Sequence, residues 1–390
     1  MPPNKKVLLM PNEISPHDTP RAAYAHVPFC NHRCGYCNFT VVSRREDLTE
    51  SYLQAIEQEL RWLESPRIVQ SLFIGGGTPT ELAAADLKRL LTMLAHWFPR
   101  TQDYEYSVEA NPESLDEART DVLVTAGVNR VSLGIQSFDD TKLASLDRKH
   151  SADAARQAIM AAQRAFENVS IDLMFAAPNE SLNDWKRDLK TAIDLGPQHI
   201  STYGLTYEQG TRFWGELNKN RLREVDDEMQ RAMFEWAIDA LTDAGYEHYE
   251  VSNFAQPSYR CRHNETYWRG QPYFAVGPGA SRYTDGRRET NHRSTTTYLR
   301  RVLAGESPVM ESEELNAEDR ARERLVFGLR RLDGVNVDEF ADETGISPET
   351  LAGGAIARYL DLGMLEQSDG VLRLTRAGLF VSDCLWPDFL

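Results

Sequence analysis

Residues 20–207 alternate six times between a short apolar run and an amphipathic helical stretch. Runs such as SLFI at 71–74 and IDLMF at 171–175 are almost continuously apolar, which is typical of parallel strands covered by helices. In the stretches between them, apolar residues recur at three- and four-residue steps, as in helices with one buried face. The predicted strands are 21–29, 67–74, 104–109, 128–135, 168–175 and 199–205. This α/β pattern predicts a partial (β/α)6 barrel of the TIM type, because eight steps are needed to close a barrel.

The remaining residues form further segments. Residues 246–310 are aromatic and irregular, and we interpret them as a connecting segment after a barrel domain at 20–245. Residues 311–390 predict three helices followed by a hairpin, with Asn316 and Ser347 as the N-caps of the first and third helix. That order is typical of a winged-helix-like α+β domain. Residues 1–19 are interpreted as an irregular N-terminal lead-in.

The net charge of −16 argues against several classes of function. An acidic surface repels polyphosphate, so nucleic acid is not an expected partner. Acidic residues also outnumber basic residues in 311–390, which favours a structural or partner-docking role for that domain over DNA binding. No apolar run approaches the roughly 18 residues of a membrane span, and the lead-in lacks the apolar length of a secretory signal. We therefore expect a cytoplasmic protein with no membrane span.

Three of the five cysteines follow the first predicted strand as Cys30, Cys34 and Cys37, with the spacing C-x3-C-x2-C. In a cytoplasmic chain this pattern favours metal ligation over disulfides. Three thiolates on one tight loop can hold three irons of a cubane cluster and leave the fourth iron open. The alternatives are a structural zinc site with His26 or His32 as fourth ligand, and a disulfide beside one free thiol. The spacing favours the cluster.

Glycine and polar residues stand near the ends of other predicted strands. The run GGGTP at 75–79 directly follows the second strand, and its glycines would let backbone N–H groups approach a polar or anionic ligand. Glu109 and Gln136 stand at two later strand ends, and Asp172 lies inside the fifth strand. Each of these residues alone is more often structural. Together at the carboxyl ends of barrel strands they predict a ligand site.

Several motifs together resemble the radical S-adenosylmethionine superfamily. These are Y-x-H-x-P-F-C at 24–30, the three cysteines, and GGGTP at 75–79. The motifs SVEANP at 107–112, NRVSLGIQSF at 129–138 and YEVSNFA at 249–255 resemble one branch of it. That branch contains oxygen-independent coproporphyrinogen III oxidase and the HemW-type haem chaperones. The resemblance extends from about residue 20 to the C-terminus.

The resemblance implies a [4Fe–4S] cluster on the three cysteines, with S-adenosylmethionine bound beside it. It also implies an electron donor, because cleavage of the sulfonium uses an electron from the cluster. The residues implied to line the S-adenosylmethionine site are Tyr24, Tyr36, Gly76, Gly77, Thr78, Glu109, Gln136, Arg148 and Asp172. One loop departs from the branch: its usual Tyr-Gly-Leu-Pro-Gly-Gln is FAAPNE at 175–180, which alters the fit against the ligand or a partner.

Two features favour the chaperones within this branch. The oxidase continues Cys-x-Cys after the third ligand, whereas Phe39 stands at that position here. The residues of the H-N-x-x-Y-W motif, associated with haem binding in the HemW type, are His263, Asn264, Tyr267 and Trp268. The resemblance therefore implies a haem chaperone that delivers haem to haem-requiring proteins.

Other interpretations stay open at this point. His263 can instead hydrogen-bond locally while the nearby aromatic residues fill an interface between domains. The chain can also be an oxygen-independent coproporphyrinogen III oxidase of porphyrin biosynthesis, since the radical machinery is shared. A third possibility is a zinc-stabilised regulatory protein that uses its winged helix. The sequence leaves monomer and dimer equally open.

Overall fold

The computed structural model describes residues 19–390, so the lead-in predicted at 1–19 lies outside the described residues except for Thr19. The strands are β1 Ala22–Val27, β2 Phe29–Cys30, β3 Val42–Ser43, β4 Val69–Gly76, β5 Arg100–Ala110, β6 Arg130–Gln136, β7 Asn168–Phe175, β8 His199–Gly204, β9 Glu247–Glu250, β10 Asn253–Ala255, β11 Phe274–Val276, β12 Ser281–Thr284, β13 Arg287–Asn291, β14 Val309–Glu314, β15 Val335–Asn336, β16 Leu365–Ser368 and β17 Val371–Leu374. The α-helices are α1 Thr49–Arg61, α2 Ala84–Trp97, α3 Glu117–Thr125, α4 Asp140–Ser145, α5 Ala152–Ala165, α6 Leu182–Leu195, α7 Arg212–Asn218, α8 Asp227–Asp243, α9 Arg262–Trp268, α10 Thr295–Leu303, α11 Ala317–Arg330, α12 Val337–Thr344, α13 Pro348–Asp361, α14 Arg376–Leu379 and α15 Ser382–Leu385.

A nine-stranded sheet forms the barrel, in the order β11-β1-β4-β5-β6-β7-β8-β10-β9. Strands β1 and β4–β8 pair in parallel with one another. They are the six strands expected from the sequence, so the partial α/β barrel is confirmed. Alternate residues such as Leu72, Val131 and Ile171 are buried in the main apolar core, and the positions between them turn toward the barrel interior because side chains alternate along a strand.

Segment 246–310 contributes to the barrel sheet at both of its edges. Strand β11 pairs in parallel with β1, while β10 pairs antiparallel with β8 and β9 pairs antiparallel with β10. Besides β12 and β13 of a second sheet, the segment expected to be irregular therefore contains three strands of the barrel sheet. They are only three or four residues long, too short to show a period of two.

A buried carboxylate on α1 fixes this segment to the barrel. Glu59 accepts hydrogen bonds from the Tyr298 hydroxyl (2.6 Å), the Asn291 amide (2.7 Å) and the Gly277 N–H (2.8 Å). Burial raises the pKa of Glu59, and these three donors oppose the rise. A carboxylate with several donors is well satisfied although it is buried, so α1 and residues 277–298 hold together.

The C-terminal residues form the expected helices and hairpin. Helices α11, α12 and α13 precede the antiparallel pair β16–β17, and β15 adds a third strand beside β17. The Asn316 and Ser347 side chains cap α11 and α13 as predicted. The Arg330 guanidinium donates to Glu250 of β9 at 2.8 Å, which ties this domain to the barrel edge. Within residues 19–390, no helix combines the length and apolarity that crossing a membrane requires.

Candidate functional site

The three clustered cysteines lie on the loop that leaves β1 at one end of the barrel. All three are partly buried free thiols, and a Cys37 N–H···O=C Cys34 bond of 3.1 Å closes a turn between the second and third. The Thr78 hydroxyl donates to Cys30 Sγ at 3.6 Å, and Arg148 Nη1 donates to Cys34 Sγ at 3.7 Å. Polar side chains therefore donate to two of the three sulfur atoms, which is the surrounding that a bound thiolate needs.

The two histidines considered as zinc ligands both form hydrogen bonds to other protein groups. His26 is buried, with Nε2 at 2.8 Å from the Thr40 carbonyl oxygen and Nδ1 at 3.1 Å from the Tyr24 hydroxyl. His32 Nε2 lies 2.9 Å from an Asp147 carboxylate oxygen. Burial lowers the pKa of His26 to about 4, so that ring is neutral.

The donor set fits a cubane cluster better than a zinc ion. Among residues 19–390, no three His, Cys, Asp or Glu side chains converge closely enough to hold one ion. A structural zinc ion needs such a convergent tetrahedral set. In a cubane each thiolate binds a different iron, so the sulfur atoms stand apart around the cluster. The three half-buried cysteines lie on one loop without forming a convergent single-ion set, which is compatible with a cubane.

The glycine run packs tightly under the cysteine loop. Gly76 has a φ of +111°, and a Cβ there would lie 2.5 Å from the His26 ring. A Cβ on Gly77 would lie 2.4 Å from the Phe29 carbonyl oxygen. The N–H groups of Gly76, Gly77 and Thr78 donate to Glu109, Val27 and Phe29. These N–H groups are therefore not free for an anionic ligand, contrary to the sequence-based expectation, and the run suits a cationic group that needs acceptors.

Two carboxylates stand on neighbouring parts of the barrel wall. Glu109 accepts the Gly76 N–H at 2.9 Å. Burial and the nearby Asp172 charge raise the pKa of Glu109 to about 7, and burial raises the pKa of Asp172 to about 6. Arg130 partly opposes both rises. Both carboxylates can accept hydrogen bonds from ligand hydroxyls. Such donation favours the charged form of a carboxylate and would lower its pKa again.

At the same end of the barrel, Gln136 and Arg148 each have a buried polar atom to which no other described group hydrogen-bonds. Gln136 has a φ of +62°, a strained conformation for a residue with a side chain. Arg148 Nη2 donates to Asn111 Oδ1 at 2.8 Å and to the Gly134 carbonyl oxygen at 2.6 Å. Within the described chain, Gln136 Oε1 and Arg148 Nε are buried without a hydrogen-bond partner. Because such atoms are costly unless paired, they indicate a polar ligand.

A cavity of about 250 Å³ occupies the barrel interior. Its lining residues are Tyr24, Phe73, Glu109, Arg130, Ser132, Asp172, Ser201, Tyr203, His263, Asn264 and Tyr267. Arg130 was missed by the sequence analysis, although the alternation along β6 places it on the interior face with Ser132. Its Nε is buried without a partner among residues 19–390.

The H-N-x-x-Y-W motif forms the short helix α9, which lies against the barrel interior. His263 is 1% exposed; its Nδ1 lies 3.0 Å from the Ser71 hydroxyl and its Nε2 lies 2.7 Å from the Tyr267 hydroxyl. Burial lowers the pKa of His263 to about 3. The Glu105 carboxylate accepts the first N–H groups of α9.

The motif residues divide between two sides of α9. His263, Asn264 and Tyr267 line the barrel cavity, whereas Trp268 lines a cleft against the C-terminal domain and packs edge-on against Tyr249. Tyr36 packs against Phe213 beside the cysteine loop, and burial raises its pKa. The structure thus brings the residues expected for S-adenosylmethionine to the cysteine end of the barrel and into its interior, and it separates Trp268 from the cavity.

Comparison with known proteins agrees with this architecture. The radical SAM superfamily model matches residues 24–192, and the HemN C-terminal domain model matches residues 315–381. The solved structure of coproporphyrinogen III oxidase from Escherichia coli has a TM-score of 0.83 and is 20% identical, covering 96% of this chain and 90% of that one. Heme chaperone HemW of Bacillus subtilis is 33% identical over 95% of this chain and 99% of its own. HemW of Lactococcus lactis is 32% identical, with coverage of 95% and 97%.

The partial barrel, the three-cysteine loop and the superfamily match define a radical S-adenosylmethionine protein. The likeness to the oxidase structure shows the shared fold alone. Because the chain is at least 32% identical to HemW proteins of two bacteria over nearly their whole length, it belongs to the HemW family of haem chaperones.

The raised pKa of Glu109 predicts a pH-dependent stability. Between its ordinary value of about 4.5 and its folded value of about 7, the folded protein holds a proton that the unfolded chain releases, so stability falls as pH rises through this window. Without S-adenosylmethionine, Glu109→Gln is expected to stabilise the protein by about 2–3 kcal/mol at pH 8 and by little at pH 4.5. Urea unfolding across this range measures the difference, with exposed Glu117→Gln as the control. Equal pH slopes for the two variants would contradict the prediction.

Proposed function

We propose that the protein is a haem chaperone that holds a [4Fe–4S] cluster, binds S-adenosylmethionine at the same end of its barrel, and passes haem to haem-requiring proteins. The observation that carries this proposal is the similarity of nearly the whole chain to proteins named heme chaperone HemW. Phe39 supports it further, because the oxidase pattern has a cysteine at that position. Haem is the cargo, and the cluster and S-adenosylmethionine are the cofactors.

The cofactor roles follow from the contacts at the cysteine end of the barrel. Cys30, Cys34 and Cys37 would hold the cluster, which supplies the low-potential electron that cleavage of S-adenosylmethionine requires. Arg148, whose Nε is buried and unpartnered within the described chain, would bind the methionyl carboxylate. The carbonyl groups of the glycine run would accept from the methionyl ammonium, and Glu109 and Asp172 from the ribose hydroxyls.

The haem site is proposed at the motif helix α9. A neutral histidine is the form that ligates iron, and His263 is neutral because burial lowers its pKa to about 3. Both of its ring nitrogens are hydrogen-bonded, however, and the side chain is almost completely buried against the barrel interior. Ligation by His263 therefore requires α9 to open and release the bonds to Ser71 and Tyr267. The apparent haem affinity then depends on how often that open state is populated.

This requirement predicts a variant that binds haem more tightly than the native protein. Ser71→Ala removes one partner of His263, so opening loses one hydrogen bond fewer, which is worth about 0.5–1.5 kcal/mol. The apparent Kd for haem should fall about three- to tenfold, measured by titration of the Soret band. Ser170→Ala is the matched control, since Ser170 bonds His199 in the same geometry on another strand. Equal haem affinities of Ser71→Ala and Ser170→Ala would contradict the requirement that α9 opens.

Transfer of haem tests the proposed function itself. Haem-loaded protein is mixed anaerobically with the apo form of a b-type cytochrome, and the Soret band is followed as it moves to the acceptor's position. Faster transfer than from free haem is the expected result. Anaerobic conversion of coproporphyrinogen III to protoporphyrinogen IX, with no haem transfer, would replace the chaperone by the oxidase of porphyrin biosynthesis.

A further inference from the structure

Exposed cations surround the cysteine loop of this otherwise acidic protein. The five residues, which we call the cationic patch, are Arg33, Arg44, Lys149, Arg212 and Arg293. The chain as a whole carries a net charge of −16. Five exposed cations at one loop of such a surface attract molecules that the acidic remainder repels.

Contacts place the cationic patch directly on the cysteine loop. The Arg33 guanidinium donates to the Cys37 carbonyl oxygen at 3.3 Å, and Arg293 donates to the carbonyl oxygen of Asn38. Arg44 directly follows Ser43, whose strand partner is Cys30. Three cations of the patch thus lie beside the first and third cysteine positions.

The other two cations reach the loop through one carboxylate. Asp147 accepts from Arg212 at 2.8 Å and from Lys149 at 3.3 Å, and its other contact is His32 inside the cysteine loop. The side chains of Arg212 and Lys149 are 58% and 53% exposed. One carboxylate does not balance two cations, so this side of the loop also keeps a positive excess.

Phe39 adds an exposed aromatic ring to the patch. It lies two residues after Cys37, next to the Arg293 contact, and is 65% exposed. Aromatic residues and arginines are enriched where proteins bind each other, and they carry much of the binding energy. The exposed Phe39 ring therefore supplies an apolar contact beside the arginines of the patch.

We propose that the cationic patch and Phe39 form the docking surface for a small acidic one-electron carrier protein. The proposal rests on the cluster of the proposed function, because the transferred electron must reach it and electron transfer slows steeply with distance. The patch contacts the cysteine loop itself, and complementary charge both steers an acidic partner to it and fixes its orientation. One electron leaves the reduced centre of the carrier and enters the cluster, so the carrier is oxidised and the cluster reduced by one electron. No bond or proton is transferred.

Binding of an acidic plant-type [2Fe–2S] ferredoxin to the cluster-loaded protein tests the proposal. The double variant Arg44→Glu/Lys149→Glu should weaken the affinity at least tenfold at low salt (about 20 mM), and the difference should shrink at about 0.5 M salt because screening removes it. Phe39→Ala should weaken binding at both salt concentrations. The double variant Arg187→Glu/Lys190→Glu on α6, whose side chains are 65% and 74% exposed, changes the net charge by the same amount outside the patch and should leave the affinity unchanged.

Reduction of the cluster by dithionite separates the two proposals. It should be equal in all variants, since dithionite needs no docking surface. Failure of the native protein to assemble a cluster would contradict the proposed function. If the cluster is normal but the ferredoxin affinity is the same in Arg44→Glu/Lys149→Glu and in Arg187→Glu/Lys190→Glu, or does not depend on salt, the docking surface alone would be overturned.

Discussion

Replacing Lys142 by methionine is expected to reduce the free energy of unfolding by about 3–5 kcal/mol. The Lys142 ammonium is buried between the Glu180 carboxylate at 2.5 Å and the Asp188 carboxylate at 2.9 Å. Asp188 also accepts from Ser137 and from the Phe138 N–H, so the pair joins α4 and α6 to the end of β6. Methionine fills similar space but leaves two buried carboxylates without their cation, which is the costly case.

Urea unfolding at pH 7 measures this effect. Lys190→Met is the matched control, because Lys190 forms an exposed pair with Asp194, and such pairs contribute little. A triple variant, Lys142→Met with Glu180→Gln and Asp188→Asn, should recover part of the loss since it removes the uncompensated charges. A loss below about 1 kcal/mol in Lys142→Met would show that the carboxylates are satisfied without the lysine.

Replacing Cys34 by alanine is expected to abolish cluster assembly. Anaerobically reconstituted native protein should contain about four iron and four sulfide per chain, and Cys34→Ala should contain almost none. Cys261 and Cys384 lie outside the loop, buried and exposed respectively, so their alanine variants are the controls and should keep full iron. The folded structure should survive in Cys34→Ala, because the thiol is only partly buried and its loop is held by backbone bonds.

Metal analysis with labile sulfide checks this prediction. Zinc in the native protein at one equivalent, with no sulfide, would contradict the cluster. It would also contradict the inference drawn from His26, both of whose ring nitrogens are hydrogen-bonded, and from His32, whose Nε2 contacts Asp147.

The barrel was predictable because each strand and helix carries its own local pattern. Strand β7 was predicted with its observed ends, since an apolar run bounded by asparagine and small residues defines it. The caps of α11 and α13 were also predictable, because Asn316 and Ser347 each bond an N–H three residues ahead. Strands β9–β11 were not, because three or four residues show no periodicity, and β10 and β11 pair with β8 and β1 far along the chain.

Some features of the candidate site were likewise predictable from local sequence patterns, and others were not. The cysteine spacing and the alternation that points Asp172 inward are local, and Arg130 was available from the same alternation on β6 but was overlooked. The contact between His263 and Ser71 joins residues 192 positions apart, and Lys142 meets Glu180 across 38. Such pairs leave no signal in a single sequence, so the burial of His263 and the anchoring of the 175–180 loop emerged only from the fold.

Anaerobic titration of haem into the cluster-loaded protein, with His263→Ala alongside, tests the proposed function most directly. We predict a saturable Soret band for the native protein and a markedly weaker one for the variant, because the histidine ligates the iron once α9 opens. A saturable band that is unchanged in His263→Ala would keep haem as the cargo and move its site away from α9. The absence of any saturable band would contradict the haem chaperone.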